Sequence, residues 1–337
     1  MGKDTAKSKA VGLFSGGLDS SLAVKIIADL GFDVIAFHLC HPFETGGPEH
    51  ALELAEAAER LGARLVSEPA GDGYLEIVRS PKYGYGKAMN PCIDCHAYMV
   101  KCAAALAKRC DATFVFTGEV LGSRPMSQRR DAMDVVETES GLTGRLLRPL
   151  SAKLLPPTEI EKTGLVDRER LYGIKGRSRK RQIELAAQFG IKDYPAPAGG
   201  CLLTEVGYSA KLKDAFDHGE TDCSDIYLLR VGRHFRLPGG GKAVIGRDES
   251  ENETIETRFS SGDRLLEVEN VGSPVTLLRN AAPGDLEPAA ALTVRYSDAR
   301  DAPGGVAVTV RDGRDGSEST IVAYHDPGLE ERLRVTV

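Results

Sequence analysis

The sequence predicts an α/β protein: a doubly wound parallel sheet, then a helical connector, then a smaller β-rich C-terminal domain. Three observations carry this. Short apolar runs alternate with helical patterns between residues 10 and 150, and such alternation gives a parallel sheet with helices on both faces. The glycine clusters and the chemically reactive side chains fall at the ends of the strand-like runs, where open sheets bind ligands. Beyond about residue 206, Gly, Pro and β-branched residues punctuate short strands, and helical periodicity fades after Leu229. A chain of 337 residues, 42% hydrophobic, fills about two domains at roughly 150 residues each.

The elements follow in order. Ala10–Phe14 is a strand, broken by Ser15-Gly16-Gly17. Leu18, Leu22, Ile26, Ile27 and Leu30 then line one side of a helix that stops at Gly31. Val34–Leu39 is a second strand, Pro48 to Leu61 an Ala/Glu/Leu-rich helix, and Arg64–Ser67 a third strand. His96 to Arg109 reads as helix, Thr113–Thr117 and Arg145–Leu150 as strands. Pro156-Pro157 closes a first domain, 1–157. Residues 158–205 form the connector, charge-dense from Lys175 to Arg181, with Pro195, Pro197, Gly199 and Gly200 as a linker-like approach to Cys201. Residues 206–337 form the last domain.

The net charge of −6 divides into +1 for residues 1–205 and −7 for 206–337. This excludes a uniformly basic nucleic-acid coat protein and leaves room for a local basic groove. No apolar stretch approaches the ~18 residues of a membrane span, and no apolar core follows the lysine-rich Met1–Lys9. A cytoplasmic protein with no membrane partner is expected. Seven cysteines, an odd number, in a chain of this size point to catalysis or metal binding in a reducing compartment rather than to a disulfide framework.

Ser15-Gly16-Gly17-Leu18-Asp19-Ser20-Ser21 joins a strand to a helix. The glycines let backbone approach an anion, and the helix start offers N–H groups and a positive dipole end. Ser15, Ser20 and Ser21 add hydroxyls. Asp19 opposes an anion unless it holds Mg²⁺. The plain alternative is a helix cap after a glycine turn. The motif lacks the Gly-Lys-Ser/Thr ending of a Walker loop.

This segment resembles the signature of the PP-loop ATP pyrophosphatases, the adenine-nucleotide α-hydrolase-like fold, over roughly residues 10–205. The resemblance implies cleavage of ATP between the α and β phosphates and adenylation of a carbonyl or carboxylate oxygen, with this loop gripping pyrophosphate.

Cys92 and Cys95 open a helix, three positions apart, so both can ligate one metal centre, and the helix dipole favours their thiolates. Asn90-Pro91-Cys92-Ile93-Asp94-Cys95-His96 and Gly199-Gly200-Cys201-Leu202-Leu203-Thr204 resemble the two cysteine stations of tRNA-thiouridine synthetases. In the sulfide-using branch of that group, three cysteines hold a [4Fe–4S] cluster with one iron open. The resemblance thus implies Cys92, Cys95 and Cys201 as metal ligands and, with Asp19, as catalytic residues. Three thiolates leave one iron free for an exogenous ligand such as hydrosulfide. Two alternatives stay open: a closed zinc site on Cys92, Cys95, Cys201 and His96, and a Cys95–Cys201 persulfide–disulfide pair. Cys102 and Cys110 read as core residues. Cys223, in an acidic loop, has no assigned role. Cys40 falls near the expected nucleotide site. His38 and His41 read as pocket-lining or structural rather than as ligands.

Thr117-Gly118-Glu119 through Ser127-Gln128 resembles the second nucleotide loop of the same group, and Leu147-Arg148-Pro149-Leu150 with Lys153 its next active-site strand end. The expected nucleotide-binding set is therefore Ser15, Gly16, Gly17, Asp19, Ser20, Ser21, Phe37, His38, Gly118, Ser127, Gln128, Arg148 and Lys153. Arg148 or Lys153 can neutralise charge developing on the α-phosphate.

Lys175, Arg177, Arg179, Lys180 and Arg181 place five positive charges in seven residues. The run reads either as a solvated face or as a grip on RNA phosphates. Leu229–Leu237 and Val244–Asn252 look like a small RNA-associated module appended to some PP-loop proteins. No N-terminal RNA-binding extension or rhodanese-like carrier is recognisable, which favours free sulfide over a carried persulfide. The expected function is ATP-dependent thiolation of a tRNA uridine, with a lean to C4, using ATP, Mg²⁺ and a [4Fe–4S] cluster, with tRNA and a sulfide or other sulfur donor as partners. A homodimer is compatible with the sequence. The rival readings are an enzyme activating, ligating or sulfurating a small molecule, tRNA 2-thiolation by a persulfide mechanism, and a non-catalytic RNA-binding protein with a relic nucleotide fold.

Overall fold

The computed structural model describes residues 7–44, 50–195 and 201–336. Pro48, Pro197, Gly199 and Gly200 lie outside the described residues. The chain divides into two units, Met1–Thr204 and Glu205–Val337.

In the first unit, β1 (Lys9–Leu13), α1 (Leu18–Asp29), β2 (Asp33–Cys40), α2 (His50–Arg60), β3 (Ala63–Pro69), α3 (Asp72–Arg79), α4 (Cys92–Arg109), β4 (Phe114–Phe116), α5 (Arg130–Glu139) and β5 (Leu146–Leu147) follow one another. The five strands are parallel, in the order β3-β2-β1-β4-β5. The order reverses between β1 and β4, so a crevice opens outside the carboxyl ends of those two strands.

Alternation along each strand builds two cores, because successive side chains point to opposite faces. Ala10, Val34, Ala36, Phe114, Phe116 and Leu147 pack on one face against α1 and α2. Val11, Ile35, Phe37, Val115 and Leu146 pack on the other against α4 and α5. Residues beyond β5 are built into the first of these cores. Ile160 of α6 (Glu159–Lys162), then Val166, Leu171 and Ile174, and Leu185 and Ala186 of α7 (Lys180–Gln188) are buried there. The segment read as a connector packs into the core of the sheet, and α7 lies against α1.

The second unit contains α8 (Val206–Asp217), α9 (Cys223–Leu228), β6 (Arg233–Arg236), β7 (Lys242–Ile245), α10 (Glu249–Glu256), β8 (Arg264–Val268), β9 (Thr276–Arg279), α11 (Leu286–Arg295), β10 (Val306–Asp312), β11 (Glu318–Ala323) and α12 (Leu329–Leu333). Its strands form one antiparallel sheet, ordered β11-β10-β8-β9-β7-β6. Three helices follow Leu229, more than the sequence suggests. The longest, α11, buries Ala289, Ala290, Leu292 and Val294 against the sheet. Its alanines and flanking turns hide the usual amphipathic signal. Among the described residues no helix is long and apolar enough to cross a membrane.

Candidate active site

The loop after β1 turns through Gly16, whose φ of +70° is a left-handed conformation that glycine adopts without strain. Gly17 caps α1 in extended conformation and has no side chain to fill the first turn. Ser20 Oγ ties the loop together: it donates to Gly17 O at 2.9 Å and accepts from Ser15 N at 3.4 Å. Ser21 N donates to Gly17 O as the helix begins. What remains at the tip is a row of amide and hydroxyl groups at a positive dipole end, the chemistry that holds phosphate.

The second loop, after β4, crosses close behind the first. A Cβ on Gly118 would fall 2.6 Å from Ser20 N and 2.7 Å from Asp19 O. We therefore expect Gly118→Ala to displace the phosphate loop and weaken ATP binding at least tenfold, measured by equilibrium binding.

Several buried polar atoms here have no hydrogen-bond partner: Asp19 Oδ1, Ser127 Oγ, Gln128 Oε1 and both amide atoms of Gln182. Burial raises the Asp19 carboxyl, more than Arg179, Gln182 and Arg124 lower it. Such orphans are costly in a finished core. Around a phosphate loop they fit a polar ligand, and the Asp19 carboxylate fits Mg²⁺, a hard cation that takes oxygen ligands.

The cysteine stations meet nearby. The helix α4 begins at Cys92, so Cys92 and Cys95 share its first turn. Asp94 accepts from the amides of Lys82 and Tyr83 and pins the preceding loop to that turn. Cys92 Sγ donates to Asn90 Oδ1 at 2.8 Å, and Tyr74 Oη lies 3.1 Å from Cys95 Sγ. Cys201 arrives by a backbone return: Leu202 N donates to Phe43 O at 3.1 Å, Met89 N donates to Leu203 O at 3.2 Å, and Cys201 itself bridges Glu44. Burial pushes the Cys95 thiol up to about 12, and Cys201 and Cys92 push it the same way against the pull of Tyr74. Burial also raises Cys92, opposed by Arg124. At this helix start burial works against the thiolate that the dipole favours. Three converging thiols of this kind fit a thiophilic metal centre, and their protons would leave on binding.

Two expected nucleotide residues lie in the packed interior. Phe37 is fully buried in the core on the α4 side of the sheet, on the face opposite His38. Arg148 is buried and committed. Its Nε donates to Glu119 Oε2 at 2.9 Å, another nitrogen pairs with Glu137, and a third donates to Met133 O at 3.2 Å. Its charge holds the second loop instead of neutralising phosphate. Burial alone would raise the Glu119 carboxyl, but Arg148 and His96 outweigh it and hold it at about 2.

Arg148→Met would take the guanidinium from the buried Glu119 and the half-buried Glu137, and we expect it to lower the unfolding free energy by about 3–5 kcal/mol in urea titration. The depressed Glu119 value also has a sign. Its contribution is complete above the ordinary glutamate value of 4.5 and is lost as pH falls towards about 2. The variant should therefore lack that acid-dependent step.

The basic run divides. Arg179 faces Asp19 and the phosphate loop. Lys175, Lys180 and Arg181, with Lys153 and Arg170, line a separate open cleft of about 850 Å³. Lys153 Nζ donates to Glu169 O and Oε2, and Arg181 pairs with Glu184. Lys153, expected at the α-phosphate, is a cleft residue with its charge shared with Glu169.

Sequence reasoning gave no role to Arg124, Gln182, Glu119 or Tyr74. Arg124 acts on both Asp19 and Cys92. His96 Nδ1, weighed only as a zinc ligand, stands 3.4 Å from Glu119 Oε1 and links the cysteine helix to the second loop.

Comparison with known proteins fits this architecture. Residues 5–153 match the family profile described as thiamine biosynthesis protein (ThiI), and residues 232–328 that described as NFACT protein RNA binding domain. Proteins named tRNA-specific 2-thiouridylase MnmA are similar in sequence. That of Tropheryma whipplei (strain Twist) is 28% identical over 27% of this chain and 28% of its own length. That of Micrococcus luteus is 30% identical over 35% of each. That of Bartonella henselae is 26% identical over 67% of this chain and 50% of its own. The chain thus spans between about a quarter and a half of these relatives. Two solved structures also align. One, titled a predicted subunit of a tRNA methyltransferase from Methanocaldococcus jannaschii, has a TM-score of 0.31 at 20% identity over 42% of this chain and 69% of its own. The other, NMN synthetase from Francisella tularensis, has a TM-score of 0.28 at 13% identity over 57% and 90%.

Proposed function

From a chain with a ThiI-type PP-loop domain in residues 5–153 and an NFACT-type RNA-binding domain in residues 232–328, we infer an ATP-dependent tRNA uridine sulfurtransferase acting at C4 of uracil. The observation that carries this is the convergence of a phosphate loop and three cysteines at one end of the parallel sheet, with Arg124 acting on both. The loop amides and Ser15 hold the pyrophosphate portion of ATP, and Asp19 holds Mg²⁺. The uracil carbonyl oxygen attacks the α-phosphorus and pyrophosphate leaves. Arg179 and Arg124 offset the negative charge at this point. Hydrosulfide then adds at the activated carbon, and the former carbonyl oxygen departs with AMP. Cys92, Cys95 and Cys201 would hold a [4Fe–4S] centre, which when bound supplies an open iron for exogenous sulfide.

The test is anaerobic incubation with bulk tRNA, ATP and sulfide, followed by mass spectrometry of the nucleosides. One 4-thiouridine should form per AMP and pyrophosphate released. Pyrophosphate release with no thionucleoside would point to a small-molecule substrate. The second reading, 2-thiouridine by a Cys95–Cys201 persulfide, is favoured by the names of the sequence relatives and by the mutual influence of those two thiols. It predicts 2-thiouridine made at full rate by iron-free protein when a persulfide donor replaces the sulfide and a thiol reductant reopens the Cys95–Cys201 disulfide after each turnover.

The cleft supplies a further expectation. Replacing Lys175, Lys180 and Arg181 by Glu should weaken tRNA binding and lower the log–log salt slope by somewhat under about one unit per lost phosphate contact. An unchanged slope would show that the cleft is only a solvated face.

A further inference from the structure

The carboxyl end of β2 carries a group of ligating side chains of which the thiolation reading assigns only His38, as a residue of the nucleotide pocket. Residues 38 and 40 share one face of the strand, the face that buries Val34 and Ala36 further back. Where that apolar row ends, His38 and Cys40 continue it. A turn at residues 41–44 then brings Glu44 back: Glu44 N donates to His41 O, and His41 N donates to Glu44 Oε1 at 3.0 Å. One donor atom from each of His38, Cys40 and Glu44 lies within 4.8 Å of the other two.

We propose that His38, Cys40 and Glu44 form a divalent-metal site of the zinc class, separate from the Cys92–Cys95–Cys201 station. One imidazole nitrogen, one thiolate sulfur and one carboxylate oxygen form a mixed borderline donor set. Zn²⁺ accepts all three, whereas Mg²⁺ and Ca²⁺ prefer oxygen alone. The imidazole is already oriented for the role. Its Nδ1 lies 3.1 Å from Phe14 O, which makes it the donor, and its Nε2 faces Glu44 Oε2 at 3.0 Å. A backbone carbonyl on the far ring nitrogen is the usual way a metal-bound histidine is held, and the contact from His41 N holds the carboxylate likewise. A plain His38–Glu44 ion pair accounts for two of the groups, and Cys40, which also has a side-chain hydrogen bond with Ser67, stands at the third corner beside them. Three protein ligands leave a fourth position for water or substrate.

The site has a structural consequence as well. Glu44 bridges Cys201 through the backbone, and Phe43 O accepts from Leu202 N. A metal on Glu44 therefore fixes the segment that presents the third cysteine. The proposal does not depend on thiolation.

The test uses the full chain with Cys92, Cys95 and Cys201 replaced by Ser, under anaerobic reducing conditions, titrated with Co²⁺ and then Zn²⁺. One equivalent of Co²⁺ should bind, with tetrahedral d–d bands and a thiolate-to-cobalt charge-transfer band, and Zn²⁺ should displace it. Adding Cys40→Ser should remove the charge-transfer band and weaken binding by about a hundredfold or more. Absence of stoichiometric binding, or a cobalt spectrum unchanged by Cys40→Ser, overturns the proposal. Should the triple variant misfold, Cys40→Ser and Glu44→Gln in the otherwise unaltered chain decide it. Each should lower tightly bound zinc by one equivalent per chain, and undiminished zinc overturns the site.

Discussion

Asp19→Ala should lower pyrophosphate release by about 10²–10³-fold, the scale set by removing one group aimed at developing charge, while thermal stability holds or rises slightly. The two halves of this result have one cause. Asp19 Oδ1 is buried with no hydrogen-bond partner, and burial outweighs the help that Arg179, Gln182 and Arg124 give the carboxylate, so the folded protein carries a cost that a bound cation would relieve. Removing the carboxylate removes that cost together with the function, the trade expected where a site is built for activity rather than stability. Ser20→Ala should lose activity too, but for a different reason. Its hydroxyl braces Gly17 O and Ser15 N, so the loop itself loosens and ATP affinity falls with the rate. Wild-type pyrophosphate release in both variants would refute the assignment of the loop.

Replacing Cys92, Cys95 or Cys201 singly by Ala should remove iron and thiolation together and leave ATP binding intact. Anaerobic iron and acid-labile sulfide per chain, measured beside tRNA thiolation, check this. Cys102 and Cys110 pack at the edge of the core on the α4 side of the sheet, so their replacement should leave iron unchanged, as should that of Cys223. Full-rate thiolation by iron-free protein from a persulfide donor would transfer the chemistry to Cys95 and Cys201 alone.

The first strand, loop and helix were legible because their signals are local: a glycine pair, then apolar residues at helical spacing. The identities of the three thiols were legible for the same reason. Their meeting was expected from the resemblance alone; the contact that brings Cys201 in, Leu202 pairing with Phe43 across the fold, was not legible. Arg148 was misread because a lone arginine at a strand end looks solvated until Glu119 and Glu137 close on it. Phe37 was avoidable. Strand alternation already places it on the opposite face from His38. Arg124 and Gln182 gave no signal, because an isolated polar residue acquires its role from what the chain packs beside it.

The return of residues 201–204 to the end of β2 sets an order of events during synthesis. Cys95 leaves the ribosome 106 positions ahead of Cys201. Gln182 and the other residues of α7, which pack on α1, emerge only near the end of the first unit. A nascent chain therefore displays its phosphate loop and two of its thiols long before the third exists. It has no complete three-thiol set to load until the first unit is finished. A metal held by all three thiols, as proposed, could therefore load only on chains whose phosphate-loop end is already in place, and a polypeptide abandoned midway could not acquire it.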